Sequence, residues 1–267
     1  MTRLLEHAAL LLLAAAGLAL ALAPWGVMQP GVELSREELE YVYAARATWN
    51  LPVLALLLIA AIVLAVRRWR GALSLFGRAM AILPVLFLIL SAFIAQANFL
   101  EGAFPAPEEV RYEPARAVDF LEPDDEVIVV DAGGVSRAYP ERLLTAHPLV
   151  HAEGGGLAYV VTYGPLEDLA RVWKGEREGR PLRFTVAGMD GRELLLEDEA
   201  TRSWWRQTSG EAILGPLAGA QLERLPSQVV RFGEWRESEP DGPTFAPAAN
   251  TVLRPRGWLE ELEGAKR

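Results

Sequence analysis

The stretch Tyr159-Val160-Val161-Thr162-Tyr163-Gly164-Pro165-Leu166-Glu167-Asp168 is a β-branched and aromatic run that stops abruptly at a Gly-Pro turn. An apolar run of this length, bounded by turn residues, predicts a buried strand. A strand ending in a tight turn is a common way to present side chains at the mouth of a site. This turn offers no Cys, Ser or His, only Gly164 and the acids Glu167 and Asp168.

Composition separates the chain into two unlike parts. Residues 1–100 hold seven Arg and five acids, whereas residues 101–267 hold 19 Lys and Arg against 30 acids, which together give the net charge of −9. Such a split predicts a membrane part followed by an acidic soluble part. An acidic domain lacks the basic face that neutralises phosphates, so nucleic acid is excluded as a partner. The chain has no cysteine, which excludes disulfides, thiolate metal sites and Cys nucleophiles, and its three His make a His-rich metal site improbable.

Three uncharged apolar runs, about 8–27, 50–66 and 79–100, are each long enough to approach or reach the span of a bilayer's hydrocarbon core. Ala21-Leu22-Ala23 resembles a signal-peptidase motif, but Pro24 would follow the cut, so a retained helix is expected. Ser35-Arg36-Glu37-Glu38 has the form of a capping box, which starts a helix near Arg36. Arg67, Arg68, Arg70 and Arg78 lie between the second and third runs, and Arg3 precedes the first. The positive-inside rule then predicts a cytoplasmic N-terminus in a bacterial inner membrane, with residues 101–267 periplasmic or otherwise extracytoplasmic. The spans hold no ionisable residue, so proton or ion transport is not expected of them. Ala14-Ala15-Ala16-Gly17 and Ala60-Ala61 are small enough for close helix approach, or serve equally as lipid-facing filler.

Residues 101–117, rich in Pro and acids, read as an extended linker, and the soluble domain as starting near Val118 and running to 245, with 246–267 as a loose tail. Strands are expected at Glu126–Asp131 and Val135–Tyr139 across a Gly133-Gly134 turn, at Leu157–Tyr163, at Leu182–Ala187 and at Glu193–Glu197. A short helix should open at Pro140 and run through Leu144, and Val229–Trp235 should form a last strand or short helix. The expected fold is a three-helix membrane anchor joined to a mainly antiparallel β domain of the α+β class.

Several segments of that domain resemble the bacterial DUF3179 family. They are Phe120–Val127, Arg137-Ala138-Tyr139-Pro140, Val161-Thr162-Tyr163 with Pro165-Leu166, Ser203–Gly219, Leu225-Pro226 and Glu234-Trp235. The family's central turn usually reads Cys-Pro-Leu-Cys, two thiols that suggest metal or redox work, whereas Gly164 and Glu167 stand at those positions here. His147 matches a family His, and His151 stands where the family has Asn. The resemblance therefore implies a domain kept for its shape.

The candidate ligand- or partner-binding residues are His147, Tyr163, Glu167, Trp204, Trp205, Gln207 and Glu211. His147 and His151, with Glu153 or Glu167, could form a His-His-carboxylate metal set, but Pro148 breaks the helix that would align them, so no metal and no cofactor are expected. Glu167, Asp168 and Glu211 could supply paired carboxylates, but no helper group accompanies them and no catalytic residue is assigned. Adjacent in a strand, Trp204 and Trp205 should face opposite sides. The resemblance places Trp205 and Gln207 in the core or a pocket, which leaves Trp204 as the exposed anchor.

These readings lead to a non-catalytic, membrane-anchored accessory subunit of a larger complex, respiratory or photosynthetic in class. Its expected partners are the lipid bilayer and other integral membrane proteins. The alternative is a ligand-binding domain or degenerate metal/redox enzyme with a pocket beneath the Gly164-Pro165 turn. An enclosed cavity with converging polar groups would favour that alternative, and a filled core the subunit.

Overall fold

In the computed structural model, which describes residues 2–28, 31–71, 74–96, 104–107 and 109–247, the chain divides into two units, residues 1–98 and 99–267. In the first unit, α1 (Thr2–Val27) is followed by α2 (Arg36–Ala44), a π-helical turn at Ala45–Trp49, α3 (Asn50–Gly71) and α4 (Leu75–Gln96). Ser35 caps α2 as expected: its side chain accepts from the Glu38 amide, and the Glu38 carboxylate accepts from the Ser35 amide at 2.8 Å. Three helical segments, Leu5–Pro24, Arg36–Arg70 and Leu75–Ala95, are long and apolar enough to cross a membrane. The second exceeds the expected 50–66 run, because α2 passes through the π turn into α3 without a break. The third begins earlier than expected, and residues 97–100 lie outside the described residues.

Of the small residues of α1, Ala14, Gly17 and Ala21 face inward, whereas Ala8, Ala15, Ala16 and Ala19 are exposed. Leu10, Ala14, Gly17, Ala21 and Pro24 form a buried seam spaced three and four apart, and Ala81, Pro84, Leu88, Ser91 and Ala95 form the matching seam of α4. A Cβ on Gly17 would strike the Leu88 side chain, so a glycine there lets α1 approach α4 closely. Outer faces carry Leu11, Leu12, Leu56, Ile59, Leu86 and Phe93, all exposed. At one end of the bundle Arg68 contacts His7, and Arg78 lies over the Trp69 ring at 5.2 Å.

The second unit is a stack of sheets. Its strands are β1 (Arg111–Pro114), β2 (Glu126–Ala132), β3 (Val135–Pro140), β4 (Leu149–Gly154), β5 (Leu157–Gly164), β6 (Leu169–Lys174), β7 (Glu176–Arg177), β8 (Arg180–Pro181), β9 (Phe184–Asp190), β10 (Glu193–Asp198), β11 (Trp204–Arg206), β12 (Ala212–Leu214), β13 (Ser227–Arg231) and β14 (Pro243–Ala246). Two short helices, α5 (Glu141–Leu144) and α6 (Phe232–Ser238), complete it. The sheets run β1-β14-β3-β2-β13, β4-β5-β6 and β12-β11-β10-β9, with β7-β8 as a small ribbon. Every pairing is antiparallel except β14 with β3.

Alternation along the strands fixes the layers. Tyr159, Val161 and Tyr163 of β5 join Ile128, Val130, Tyr139 and Leu143 in one core, while Val160 joins Trp173, Phe184, Leu196 and Trp205 in a second. β2 is also two-faced: Val127 and Val129 pack with Phe232 and Trp235 of α6 in a third core. The middle sheet is thus buried on both sides, which explains the unbroken apolar reading of β5.

Two expected boundaries are corrected. The segment read as the end of a linker supplies β1 and a 3-10 turn at Ala115–Ala117, so the domain is built from Arg111 rather than Val118. The end expected at residue 245 falls inside β14, whose Phe245 is only 1% exposed between β1 and β3, so that strand takes in the first residue of the expected tail. Both are single edge or inserted strands with no hairpin partner adjacent in sequence, so no turn signal announces them. Val229–Trp235 divides between β13 and α6.

Gly210 marks a tight approach: its φ is +71°, and a Cβ there would lie 2.7 Å from the Trp173 ring. Gly210→Ala is expected to destabilise the protein by about 2–4 kcal/mol, combining left-handed strain with overpacking, as read by denaturant or thermal unfolding.

Candidate functional site

The site is built at the end of β5, where the Glu167 amide donates to the Gly164 carbonyl at 3.2 Å and closes the turn. On the first-core side, the Tyr163 hydroxyl donates to Asp168 Oδ1 at 2.7 Å. Asp168 has a φ of +54°, a left-handed conformation that Asp tolerates better than most residues. Glu141 of α5 also reaches the Tyr163 hydroxyl. Burial, then the charge of Asp168, holds its carboxyl above the ordinary range. Burial and the same two acids keep the Tyr163 phenol protonated well beyond its usual range.

On the opposite face, Gln207 is fully buried. Its Nε2 donates to Thr162 Oγ1 at 3.0 Å and to the Leu169 carbonyl at 3.1 Å, and Thr162 Oγ1 donates onward to the Arg171 carbonyl at 3.1 Å. Gln207 Oε1 and Glu167 Oε2 are both buried and have no hydrogen-bond partner among the described residues. Both converge on Gly164: a Cβ there would sit 3.2 Å from Gln207 Oε1 and 3.3 Å from Glu167 Oε2. Burial first, and then the charge of Glu193, raises the Glu167 carboxyl above its ordinary value, against the opposing fields of Arg192, Arg171 and Arg206.

The family-like segment from Ser203 onward wraps this strand end, and its polar side chains are tied into the fold. The Trp204 indole donates to Glu197 at 2.9 Å and the Trp205 indole to Asp198 at 3.0 Å. Arg206 bridges Asp190, at 2.8 Å, and Glu193. Glu193 also accepts from the Thr208 amide at 3.1 Å. The expectation that Trp204 is an exposed anchor is therefore overturned: both tryptophans are 0% exposed. Each lies opposite β10, where consecutive acids Glu197 and Asp198 offer one acceptor to each indole, and Arg202 neutralises Glu197 at 2.6 Å.

The remaining candidates separate. Tyr163, Glu167 and Gln207 meet at the turn. His147 lies just before β4, beside Pro148, whose carbonyl accepts from the Tyr163 amide, and its Nδ1 donates to the Pro105 carbonyl at 2.7 Å. Glu211 is exposed in the loop between β11 and β12, bridged to Gln221. The His147–His151 metal set is not assembled: His151 Nε2 accepts from the Phe184 amide at 2.9 Å, and among the described residues no group of three His, Asp or Glu side chains is placed to hold a metal. Sequence reasoning missed Glu141, Thr162 and Glu193. Strict alternation from Val160 could have placed Thr162 on the Gln207 side, but the other two are brought in by tertiary packing alone.

The described features define a protein with three membrane-compatible helices and a stacked antiparallel β domain closed around a polar turn. The chain belongs to the family described as protein of unknown function (DUF3179), whose model matches residues 101–253, more than half of the sequence. The match takes in β1 and β14, in agreement with the corrected domain limits. No curated protein and no solved structure matches the chain.

His151 supplies a testable pH dependence. Burial, then the charge of Arg183, pushes its pKa down to about 4. Its neutral form is the one that accepts from Phe184, so its contribution is complete above the unfolded His value and is lost as pH falls towards 4. Thermal unfolding of wild type and His151→Gln should differ little in slope above about pH 6.5, and wild type should lose about 2–3 kcal/mol more than the variant by about pH 4.

Proposed function

We propose that the chain is a non-catalytic, membrane-anchored accessory subunit of a larger membrane protein complex. Its helices pack laterally against other integral membrane proteins in the bilayer, and its acidic β domain docks on the extracytoplasmic face. The observation that carries this reading is the use made of the family-like segment: Trp204, Trp205, Arg206 and Thr208, together with the amide nitrogen of Gln207, spend their polar atoms on bonds that join β5, β6, β9 and β10. Side chains so committed serve the shape of the domain.

Two further features support the membrane half. The outer helix faces are lined with large exposed apolar residues, a surface suited to lipid or to partner helices. The contact of His7 with Arg68 brings the start of α1 and the end of α3 together, and Arg67, Arg68, Arg70 and Arg78 gather at that end. An arginine-rich end favours the cytoplasm, and an odd number of spans carries the following residues to the other side, the periplasm in a cell with two membranes. A respiratory or photosynthetic assembly is the proposed class of host complex.

Gentle detergent extraction of native membranes, affinity isolation through this chain and mass analysis is the test. A stoichiometric complex surviving size separation is expected. A lone monomer or homodimer would overturn the subunit reading. Because the native chain is free of cysteine, single cysteines introduced at exposed Glu153 or Glu211 should react with an impermeant thiol reagent in intact spheroplasts. Protection until the membrane is broken would reverse the assigned orientation.

A further inference from the structure

The unexplained feature of the domain is the pair of acceptor oxygens facing the Gly164 backbone. A buried acceptor without a donor costs about 1–3 kcal/mol, and two beside each other require an account. Turning the Gln207 amide over does not supply one. Its Nε2 is held by the Leu169 carbonyl, which can only accept, and Thr162 Oγ1 already donates to the Arg171 carbonyl. Gln207 Oε1 therefore stays directed at Gly164.

An apolar or cationic guest is disfavoured by space and charge. A single carbon on Gly164 would already be tight against both oxygens, at 3.2 and 3.3 Å. The surrounding cations, Arg192 from the β9–β10 turn, Arg171 from β6 and Arg206 from β11, oppose a bound metal or ammonium. What fits is a proton. The acid that faces Gln207 is one whose ionisation is opposed by burial and by Glu193 of β10, itself tied to Arg206 and Thr208.

We propose that Glu167 carries a proton in the folded protein and donates it to Gln207 Oε1, so that the Gly164–Asp168 turn is a pH-sensitive latch. The turn is pinned on either side of this acid: Arg192 donates to the Leu166 carbonyl, and Asp168 accepts from Tyr163. When Glu167 ionises, its charge meets the lone pairs of Gln207 Oε1 and swings towards Arg192 and Arg171. The latch between β5 and the segment after β11 is then released. The folded state holds the proton more tightly than the unfolded chain, so the stabilisation is complete at low pH and is lost as pH rises through the folded-state value.

The test is made on the full-length protein in detergent. Glu167→Gln keeps a donor for Gln207 Oε1 at every pH. Infrared spectra at about pH 5, just above the ordinary Glu range, should show a protonated-carboxyl C=O band in wild type that is lost in E167Q. The thermal midpoints of the two should coincide near pH 4 and separate by about 2–4 °C near pH 8, with E167Q the more stable. The band persisting in E167Q, or a midpoint difference that does not vary with pH, would overturn the proposal and assign the two oxygens to a bound water or ion. Should E167Q fail to fold, Glu167→Asp is one methylene too short to reach Gln207. It must lose the band, and retention would overturn the proposal equally.

Discussion

The structure of the C-terminal domain depends on one constraint: β5 is buried on both faces. A strand covered on one side can alternate polar with apolar residues and leave its polar groups to water. β5 has no such outlet, with Tyr159, Val161 and Tyr163 in one core and Val160 and Thr162 turned to the other side. Every polar group it carries must find a partner inside the protein, because an unpaired one costs about as much as a typical core truncation. The tyrosines show how this is met. Tyr159 shares a hydrogen bond with Tyr139 at 2.6 Å, Tyr139 with Tyr112 at 2.8 Å, and the chain of hydroxyls ends beneath the Arg137 guanidinium, 4.7 Å from the Tyr112 ring.

The same constraint organises the segment after β10. Thr162 needs a donor, and Gln207 provides it. Gln207 must be carried there on a strand whose neighbours are large, so Trp205 fills the second core beside Phe184, their rings edge to face with centroids 6.1 Å apart. The indoles in turn require acceptors, which Glu197 and Asp198 supply, and Asp198 also accepts from the Thr201 amide at 2.6 Å to shape the β10–β11 turn. Each buried polar residue demands another, and the sequence from Ser203 to Thr208 is dense in Trp, Arg, Gln and Thr for that reason. The resulting network is rigid and nearly closed, which makes the open valence at Gly164 stand out.

The sequence made legible what is local. Ser35 with Glu38 and the pair Gly133-Gly134 each carry their own geometry, and the structure has the capping box and the hairpin they announce. The apolar runs announced the helices, though charged Arg67, Arg68 and Arg70 concealed that α3 continues to Gly71. Less legible were elements whose partners lie far away in the chain. β1 and β14 pair across more than a hundred residues, Arg111 with Ala246, and neither has a neighbouring hairpin to betray it. Trp204 was misread because strand alternation assumes a sheet with one wet face. The site was legible only as four of its polar residues, Tyr163, Glu167, Asp168 and Gln207. What joins them is the two-sided cover of β5, which no local pattern encodes.

The two units meet the burial problem in opposite ways. In the helices the seams are small or aliphatic, and Ser91 satisfies its hydroxyl on the Phe87 carbonyl of its own helix at 2.9 Å. Asn50, at the start of α3 beside the π turn, is an exception: it is 1% exposed and neither of its amide atoms finds a partner among the described residues. In the β domain polarity is admitted freely and then consumed by cross-bonding. A bundle with apolar outer faces gains its further association from shape and van der Waals contact in the bilayer. A domain with an acidic, well-bonded surface gains its own from complementary charge. Under the proposed subunit reading, a host complex would have to present apolar helix faces within the membrane and a basic surface beyond it, and that pairing of requirements is narrower than either alone.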